Sequence, residues 1–237
     1  YLSRRKPGRP LDILPSGYDS SGRAEPATYN QFVVNLPPPG IERRPATAAS
    51  RLLLGGPVAL VTCYDRGRAN VLPVAWHTPL SAQPPLVGIA VERSRHSARM
   101  IEHSEQFALN IPARPLLHHV QYLGSMSGAQ IDKFEATQFE TFEAEHVDAP
   151  LLVGCLAWLE CEVRDAITVG DHVLYVGYVR ALHVDPHAFR DCWRLDTPDE
   201  RPLHFLGDHY YSTLDGVLEA RVPGPSDAPE RVLAERV

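Results

Sequence analysis

The sequence predicts a mainly β protein, an antiparallel barrel with a few short helices, and three observations carry that prediction. Apolar or alternating runs of strand length recur between turn residues. Pairs of these runs are joined by tight turns, and segments with helical periodicity are few. With 237 residues, of which 44% are hydrophobic, the chain is long enough for one main domain with a filled core.

The first predicted elements are a hairpin and a buried strand. Val58–Tyr64 and Ala69–Trp76 flank the turn sequence Asp65-Arg66-Gly67-Arg68, which is typical of a hairpin. Leu86–Glu92 is apolar enough for a strand that is buried on both faces. Further along, we expect a short helix over Ser97–Ser104, a strand over Phe107–Ile111 and a second helix over Pro115–Leu123.

The clearest element is a long hairpin. Its strands are Cys155–Ala166 and Val173–Val184, and turn residues lie at the centre of the connection Val169-Gly170-Asp171-His172. In the first strand, apolar residues at alternate positions from Cys155 to Val163 share one face, and the other face carries Glu160, Glu162 and Arg164. Such alternation predicts a half-exposed antiparallel sheet.

Residues 1–49 differ in composition from the rest and predict a proline-rich, basic N-terminal arm. The first 50 residues hold eight of the 22 prolines and seven basic against four acidic residues. Two interpretations stay open: a disordered tail, or an arm whose second half is held on a surface by apolar residues between Tyr29 and Leu36.

Composition and charge exclude several classes of partner. A net charge of −6 does not suit binding to nucleic acid. The apolar stretches are too short, or too often interrupted by proline, for a membrane helix, and Tyr1–Pro10 lacks the apolar core of a secretory signal. We therefore expect a cytoplasmic protein that contacts neither nucleic acid nor membrane, with its four cysteines reduced.

A candidate anion site follows the strand Leu86–Glu92. The residues there are Arg93, Ser94, Arg95, His96 and Ser97, and they lead directly into a predicted helix. Free N–H groups at a helix N-terminus, together with arginine and serine donors, suit a phosphate. The alternative is that Ser94 or Ser97 only caps the helix while both arginines are solvated.

A candidate ring site lies in the segment Pro73, Val74, Ala75, Trp76, His77 and Thr78. Prolines at 73 and 79 interrupt the strand ladder, so backbone N–H and C=O groups are left to meet a ligand with alternating donors and acceptors. Trp76 taken alone is more typical of a core residue.

Other kinds of site are disfavoured. The histidine pairs His118-His119 and His183/His187 could suggest a metal, but Pro186 breaks the helix that would align the second pair, and we expect no metal. The hydrolase motif GxSxG and the dinucleotide motif GxGxxG are both absent from the sequence.

Four stretches together resemble the flavin reductase-like family of FMN-binding split barrels. They read NVLPVAWHTPLSAQPPLVGIAVERSRHSARMIEHSEQFALNIP, DKF, APLLVGCLAWLECEV and GDHVLYVGYV. The resemblance covers residues 50–211 and leaves a C-terminal extension, 212–237, beside the N-terminal arm. It implies a split barrel of the Greek-key type and a homodimer with FMN near the interface.

The resemblance also implies roles for individual residues. Pro73–Thr78 would lie along the isoalloxazine ring, and Arg93–Ser97 would hold the phosphate of FMN. His172, in the sequence Gly170-Asp171-His172, would be the catalytic residue that serves nicotinamide binding or hydride transfer. The pair Lys133-Phe134 and the aromatic Tyr210 would also contact the cofactor.

The expected function is that of an NAD(P)H-dependent flavin oxidoreductase, with NADH or NADPH as a transient substrate and free flavin or another molecule as acceptor. Fold alone does not fix this activity. The alternatives are a flavoredoxin-like electron carrier and a non-catalytic FMN-binding module.

Overall fold

The computed structural model describes residues 56–218. In it, a two-residue turn connects the strands of the first hairpin. Strands β1, Ala59–Asp65, and β2, Arg68–Val74, pair in register across this turn. Arg66 and Gly67 both have positive φ, at 50° and 80°. Turns of this kind match the right-handed twist of the paired strands. The predicted hairpin is confirmed, while the arm 1–49 and residues 219–237 of the C-terminal extension lie outside the described residues.

One seven-stranded antiparallel sheet forms the body of the protein, in the order β2-β1-β5-β8-β9-β4-β3. Its further strands are β3 His77–Ser81, β4 Leu86–Glu92, β5 Gln106–Pro112, β8 Cys155–Val169 and β9 His172–Val184. The short strands β6 Thr141–Phe142 and β7 Leu151–Leu152 form one small hairpin, and β10 His204–Gly207 and β11 Tyr210–Ser212 form another.

The sheet curls into a barrel because its two edges are joined by a short linker. Strands β2 and β3 lie at opposite ends of the strand order, yet only Ala75 and Trp76 separate them. An extended chain spans at most ~11 Å from Val74 to His77, so the two edges must approach each other. The result is an antiparallel barrel with a seam between β2 and β3, which confirms the predicted mainly β split barrel with few helices.

Three α-helices lie within residues 56–218, and each packs against strands of the barrel. Helix α1, His96–Ser104, buries Ala98, Met100 and Ile101, and helix α2, Leu117–Ser125, buries Val120 and Leu123. Both confirm predicted helices, although Pro115 lies in a 3₁₀ turn that precedes α2. The five-residue helix α3, Lys133–Thr137, was not predicted. Among the described residues no helix has both the length and the apolar composition to cross a membrane.

The barrel interior holds the larger of the apolar clusters, and one glycine shows how tightly it is packed. Phe107 and Tyr175 are almost fully buried there. A Cβ at Gly177 on β9 would come within 2.6 Å of the Phe107 ring. A second cluster, which includes Leu60, Leu123 and Leu203, fills the space on the other side of the sheet.

Glu160 corrects one expectation about β8. It was expected on an exposed polar face, but it is fully buried and accepts hydrogen bonds from the backbone N–H groups of Glu145 at 3.1 Å and His146 at 2.6 Å. His183 Nε2 lies 3.0 Å from the same carboxylate. Burial raises the pKa of Glu160, but these donors outweigh it and hold the pKa below its usual value. The register shift between Glu160 and Cys161 breaks the simple alternation.

Candidate functional site

The seam of the barrel opens into a cavity of about 360 Å³, here called the seam cavity. A volume of this size lies within the range of small-molecule sites. Its walls come from the β2–β3 connection, the end of β4, helix α2, the start of β9 and the β10–β11 hairpin. The lining residues include Pro73, Val74, Ala75, Trp76, Glu92, Arg95, Gln121, His172, Phe205 and Tyr211.

The end of β2 and the β2–β3 connection together supply four of the six residues predicted for a ring site. Pro73, Val74, Ala75 and Trp76 line the seam cavity. Ala75 and Trp76 fall between the β1–β2 and β3–β4 registers, and the Trp76 carbonyl accepts a hydrogen bond of 2.8 Å from Ala90 N. The connection therefore presents backbone between two strand ladders. The expected cause is wrong, because Pro73 and Pro79 lie within β2 and β3, opposite Leu60 and Val87.

His77 and Thr78, the other two residues of that segment, do not line the seam cavity. They begin strand β3, where the His77 ring hydrogen-bonds the Pro57 carbonyl and Thr78 is exposed. Burial lowers the pKa of His77, so the neutral ring donates through Nε2. The turn of the chain into β3 moves both side chains away from the seam.

Trp76 and His172 form a stacked pair in the wall of the seam cavity. Their ring centroids are 4.7 Å apart and the planes are inclined by 22°. His172 was predicted in the connection between the two long strands, but it is the first residue of β9, and 22% of its side chain is exposed. Its Nδ1 lies 2.7 Å from the Asp171 carboxylate, and this hydrogen bond lowers the pKa of Asp171.

A second, smaller cavity of about 230 Å³ adjoins the first, and we call it the cationic cavity. It is lined by Asn70, Leu72, Ser94, Arg95, His96, Ser97, Met126, Ser127, Gly128 and Lys133. Leu72 and Arg95 line both cavities, so one extended ligand could occupy the two together. The lining of the cationic cavity includes two cations and no carboxylate.

Lys133 is the buried cation of this site, with 3% of its surface exposed. Its Nζ donates to the carbonyl oxygens of Val71 at 2.9 Å and Leu123 at 2.7 Å, which leaves a third N–H for another acceptor. Burial and, next, the charge of Arg95 lower the pKa of Lys133 to about 8. Two like charges around one small cavity favour the binding of an anion.

The start of helix α1 adds backbone donors to the cationic cavity. Arg95 occupies the N-cap position and no side chain caps the helix, so the capping role considered for Ser94 or Ser97 is wrong. The other part of that alternative holds, because Arg93 and Arg95 are both exposed, and Arg95 Nε donates to Glu92 Oε2 at 3.1 Å. Uncapped N–H groups at a helix N-terminus suit an anion. Ser94, Arg95, His96 and Ser97 all line the cavity, as the sequence predicted for a phosphate loop.

Asn70 holds the hydroxyl of Ser97 in place and was missed by the sequence reasoning. Its Nδ2 donates to Ser97 Oγ at 2.8 Å, so the Ser97 hydroxyl keeps its own hydrogen, and the acceptors for that hydrogen are the neighbouring Cys63 sulfur or a bound ligand. A Cβ at Gly128 would collide with the Asn70 side chain. Glycine at 128 therefore lets Asn70 occupy this position, a relationship that no local sequence signal reveals.

Besides His77 and Thr78, three further predicted cofactor residues line neither cavity. Arg93 is exposed, and its backbone N–H donates to the Asp171 carbonyl at 3.0 Å. Phe134 packs against the second apolar cluster. Tyr210 is 60% exposed, whereas the next residue, Tyr211, lines the seam cavity. Because the side chains of neighbouring strand residues point to opposite faces, Tyr211 faces the cavity and Tyr210 does not.

The comparisons with known proteins agree with this architecture. A family model described as flavin reductase like domain matches residues 50–214. The uncharacterised protein YddH of Escherichia coli is 32% identical over 164 residues, which cover 67% of this chain and 87% of that protein.

Two solved structures share the fold of this chain. An FMN-binding protein from Thermus thermophilus has a TM-score of 0.64 and 27% identity, and the match covers 80% of this chain and 98% of that one. A flavoredoxin of Desulfovibrio vulgaris has a TM-score of 0.63 and 26% identity, with 74% and 96% covered.

Proposed function

Since this chain belongs to the flavin reductase-like domain family, we propose that it is an FMN-dependent oxidoreductase. In this proposal it takes a hydride from NADH or NADPH and passes the electrons to free flavin or another acceptor. Bound FMN would supply the redox chemistry, while the protein binds and orients the reactants and keeps water out. NADH or NADPH would be a transient substrate.

The observation that carries the FMN proposal is the pairing of a cationic cavity with a larger one beside it. Lys133 and Arg95 lie close enough for their charges to interact, around a space that also meets the uncapped start of α1. A bound phosphate would relieve their repulsion. The seam cavity next to it supplies apolar walls and the backbone of residues 73–76 for a flat ring.

In this proposal Ser94, Arg95, His96, Ser97 and Lys133 hold the phosphate. Ser97 donates through a hydroxyl that Asn70 orients, and Lys133 through its third N–H. Pro73, Val74, Ala75 and Trp76 lie along the ring. The residues present therefore fit a ligand with a planar head and a phosphorylated tail.

His172 is proposed as the residue that positions the nicotinamide. Its ring lines the seam cavity, and its orientation is set on one side by Trp76 and on the other by Asp171. A ring held by a stack and a hydrogen bond is pre-organised to hydrogen-bond or stack with a second planar reactant. This assignment rests on the cavity lining as well as on the family resemblance.

A homodimer near the FMN site is also proposed. Within residues 56–218, the segment 165–169 of β8 pairs with β9 alone, because the pairing with β5 ends at Glu162. Ile167 and Val169 on this stretch are 44% and 57% exposed. An unpaired strand edge with exposed apolar side chains is a suitable contact for a second copy. Light scattering should give twice the chain mass; the mass of one chain would contradict the dimer.

The second candidate is an electron carrier without turnover of NAD(P)H, which the similarity to a flavoredoxin favours. Anaerobic stopped-flow mixing of the FMN-loaded protein with NADH, and separately with NADPH, distinguishes the two. A reductase loses its flavin absorbance in milliseconds to seconds with one nicotinamide or both. A carrier stays oxidised with both nicotinamides, although dithionite reduces it.

A further inference from the structure

Gln121 and Tyr211 join two elements of the seam cavity wall through one hydrogen bond. Gln121 lies on helix α2 and Tyr211 on strand β11, and both line the cavity. The Tyr211 hydroxyl donates to Gln121 Oε1 at 2.9 Å. The two residues are 90 positions apart in the chain, so only the fold brings them together.

This contact favours one end of the Gln121 amide over the other for contact with a ligand. The carbonyl oxygen accepts from Tyr211 and so has one lone pair occupied, whereas the amide Nε2 keeps both of its N–H donors for the cavity. Burial raises the pKa of Tyr211, so its hydroxyl keeps the proton that it donates. The ring of Tyr211 also contacts Phe205 at a centroid distance of 5.2 Å, which restrains the hydroxyl further.

We propose that Gln121 donates a hydrogen bond to the flavin ring, and that Tyr211 is the positioning residue that orients its amide. The inference rests on the proposed function, because it places the ring in the seam cavity. The carbonyl oxygens and unprotonated nitrogens of an isoalloxazine are acceptors that an N–H donor recognises. Gln121 would thus select for the ring, whereas Lys133 and Arg95 select for the phosphate.

The two kinds of contact differ in which ligands they affect. A donor to the ring acts equally on FMN, on riboflavin and on lumiflavin, which has neither phosphate nor ribityl chain. The phosphate contacts act on FMN alone. Gln121 does not line the cationic cavity, so the two effects are separable by mutation.

The test is a double-mutant cycle on the binding of all three flavins, measured by fluorescence titration. The variants are Gln121→Leu, Tyr211→Phe and the two combined, with Tyr210→Phe as matched control because Tyr210 does not line the seam cavity. We expect Gln121→Leu to weaken each flavin about five- to tenfold and Tyr211→Phe about two- to fivefold. The double variant should match Gln121→Leu, because Tyr211 acts only through Gln121.

Gln121→Glu separates a donor from an acceptor and keeps the side-chain shape. A carboxylate cannot donate, so this variant should bind the three flavins at least as weakly as Gln121→Leu. It should also move the midpoint potential of bound FMN to a more negative value, because a negative charge disfavours added electron density on the ring. Unfolding temperatures of the ligand-free variants check that each one folds.

Several results would overturn the inference. Additive losses in the double variant would mean that Tyr211 touches the ligand directly. Binding by Gln121→Glu equal to wild type would mean that the amide accepts, and a loss confined to FMN would place Gln121 on the phosphate side. Wild-type protein that binds no flavin would overturn the proposed function itself. Wild-type protein that binds flavin, with variants that bind it equally well, would overturn only the role of Gln121.

Discussion

The indole of Trp76 lies flat against the imidazole of His172, with ring centroids 4.7 Å apart. The two residues come from the β2–β3 connection and from the start of β9. They meet because β4 pairs with both neighbours, His77 opposite Ile89 on one side and Glu92 opposite His172 on the other. The sheet register thus builds one wall of the candidate ring site.

The first prediction concerns His172. If its ring positions the nicotinamide, His172→Ala should slow flavin reduction by NADH or NADPH by about 10–100-fold, since one or two positioning contacts are lost. Stopped-flow absorbance measures this rate. Reduction by dithionite, FMN content and melting temperature should stay at the wild-type values, and His187→Ala, at an exposed histidine, is the control. A variant that loses FMN or unfolds would instead give His172 a structural role.

The second prediction compares two arginines. Arg95 lines the cationic cavity and Arg93 does not. Arg95→Ala should weaken FMN binding by about 1–3 kcal/mol, the usual loss for a charged hydrogen bond, and should affect riboflavin much less. Arg93→Ala serves as the matched control and should leave both ligands unchanged. Calorimetric titration measures the affinities for both ligands. Equal losses for FMN and riboflavin in Arg95→Ala would show that Arg95 does not contact the phosphate.

The third prediction is a pH dependence that originates at Lys133. Its pKa of about 8 without ligand should rise when a phosphate binds, because an opposite charge favours the protonated amine. FMN binding then takes up a proton around and above pH 8. Affinity should be constant below about pH 7, lower by about twofold at pH 8, and fall by up to about tenfold per pH unit above that. Lys133→Met should bind weakly, with a flat profile. A wild-type affinity for FMN that does not change with pH would show that the protonation of Lys133 does not affect FMN binding.

The fourth prediction tests the buried carboxylate outside the cavities. Glu160→Gln should lower the free energy of unfolding by about 1–3 kcal/mol, because an amide cannot satisfy all the donors that face the carboxylate. Glu162→Gln, on the exposed side of the same strand, should cost less than about 1 kcal/mol. Urea unfolding at neutral pH measures both, and equal effects would contradict the role given to Glu160.

The sign of the acid dependence at Glu160 follows from its depressed pKa. The folded state binds the proton less readily than the unfolded chain, so the stabilisation is fully present above the unfolded pKa. It should be lost as pH falls through the lower, folded pKa. Glu160→Gln should therefore be less sensitive to acid than the wild-type protein.

Local patterns in the sequence predicted most of the strands and two of the helices. The hairpins of β1–β2 and β8–β9 were predictable because their turn residues and period-two patterns act over a few positions. Glu160 was misplaced because the register shift beside it, and the loop residues 145 and 146 that donate to it, depend on tertiary contacts. No pattern within β8 contains that information.

The candidate site was predictable where one segment supplies several of its residues. Residues 73–76 and 94–97 were found because each forms a short run beside a strand end. Asn70 and Gln121 were missed, since their partners Ser97 and Tyr211 lie 27 and 90 positions away. Tyr210 was chosen over Tyr211 because the sequence does not state which face of β11 meets the cavity.

The identity of the bound ligand tests most directly whether this protein is an FMN-binding oxidoreductase. Protein purified without added cofactor, or loaded with a mixture of FMN, FAD and riboflavin, is desalted and denatured, and the released ligand is identified by chromatography. We expect the released ligand to be FMN, at one per chain. The variants Lys133→Met and Arg95→Ala should retain less FMN than the wild-type protein. Release of FAD in place of FMN, or a colourless protein that also fails to bind added FMN, would contradict this expectation.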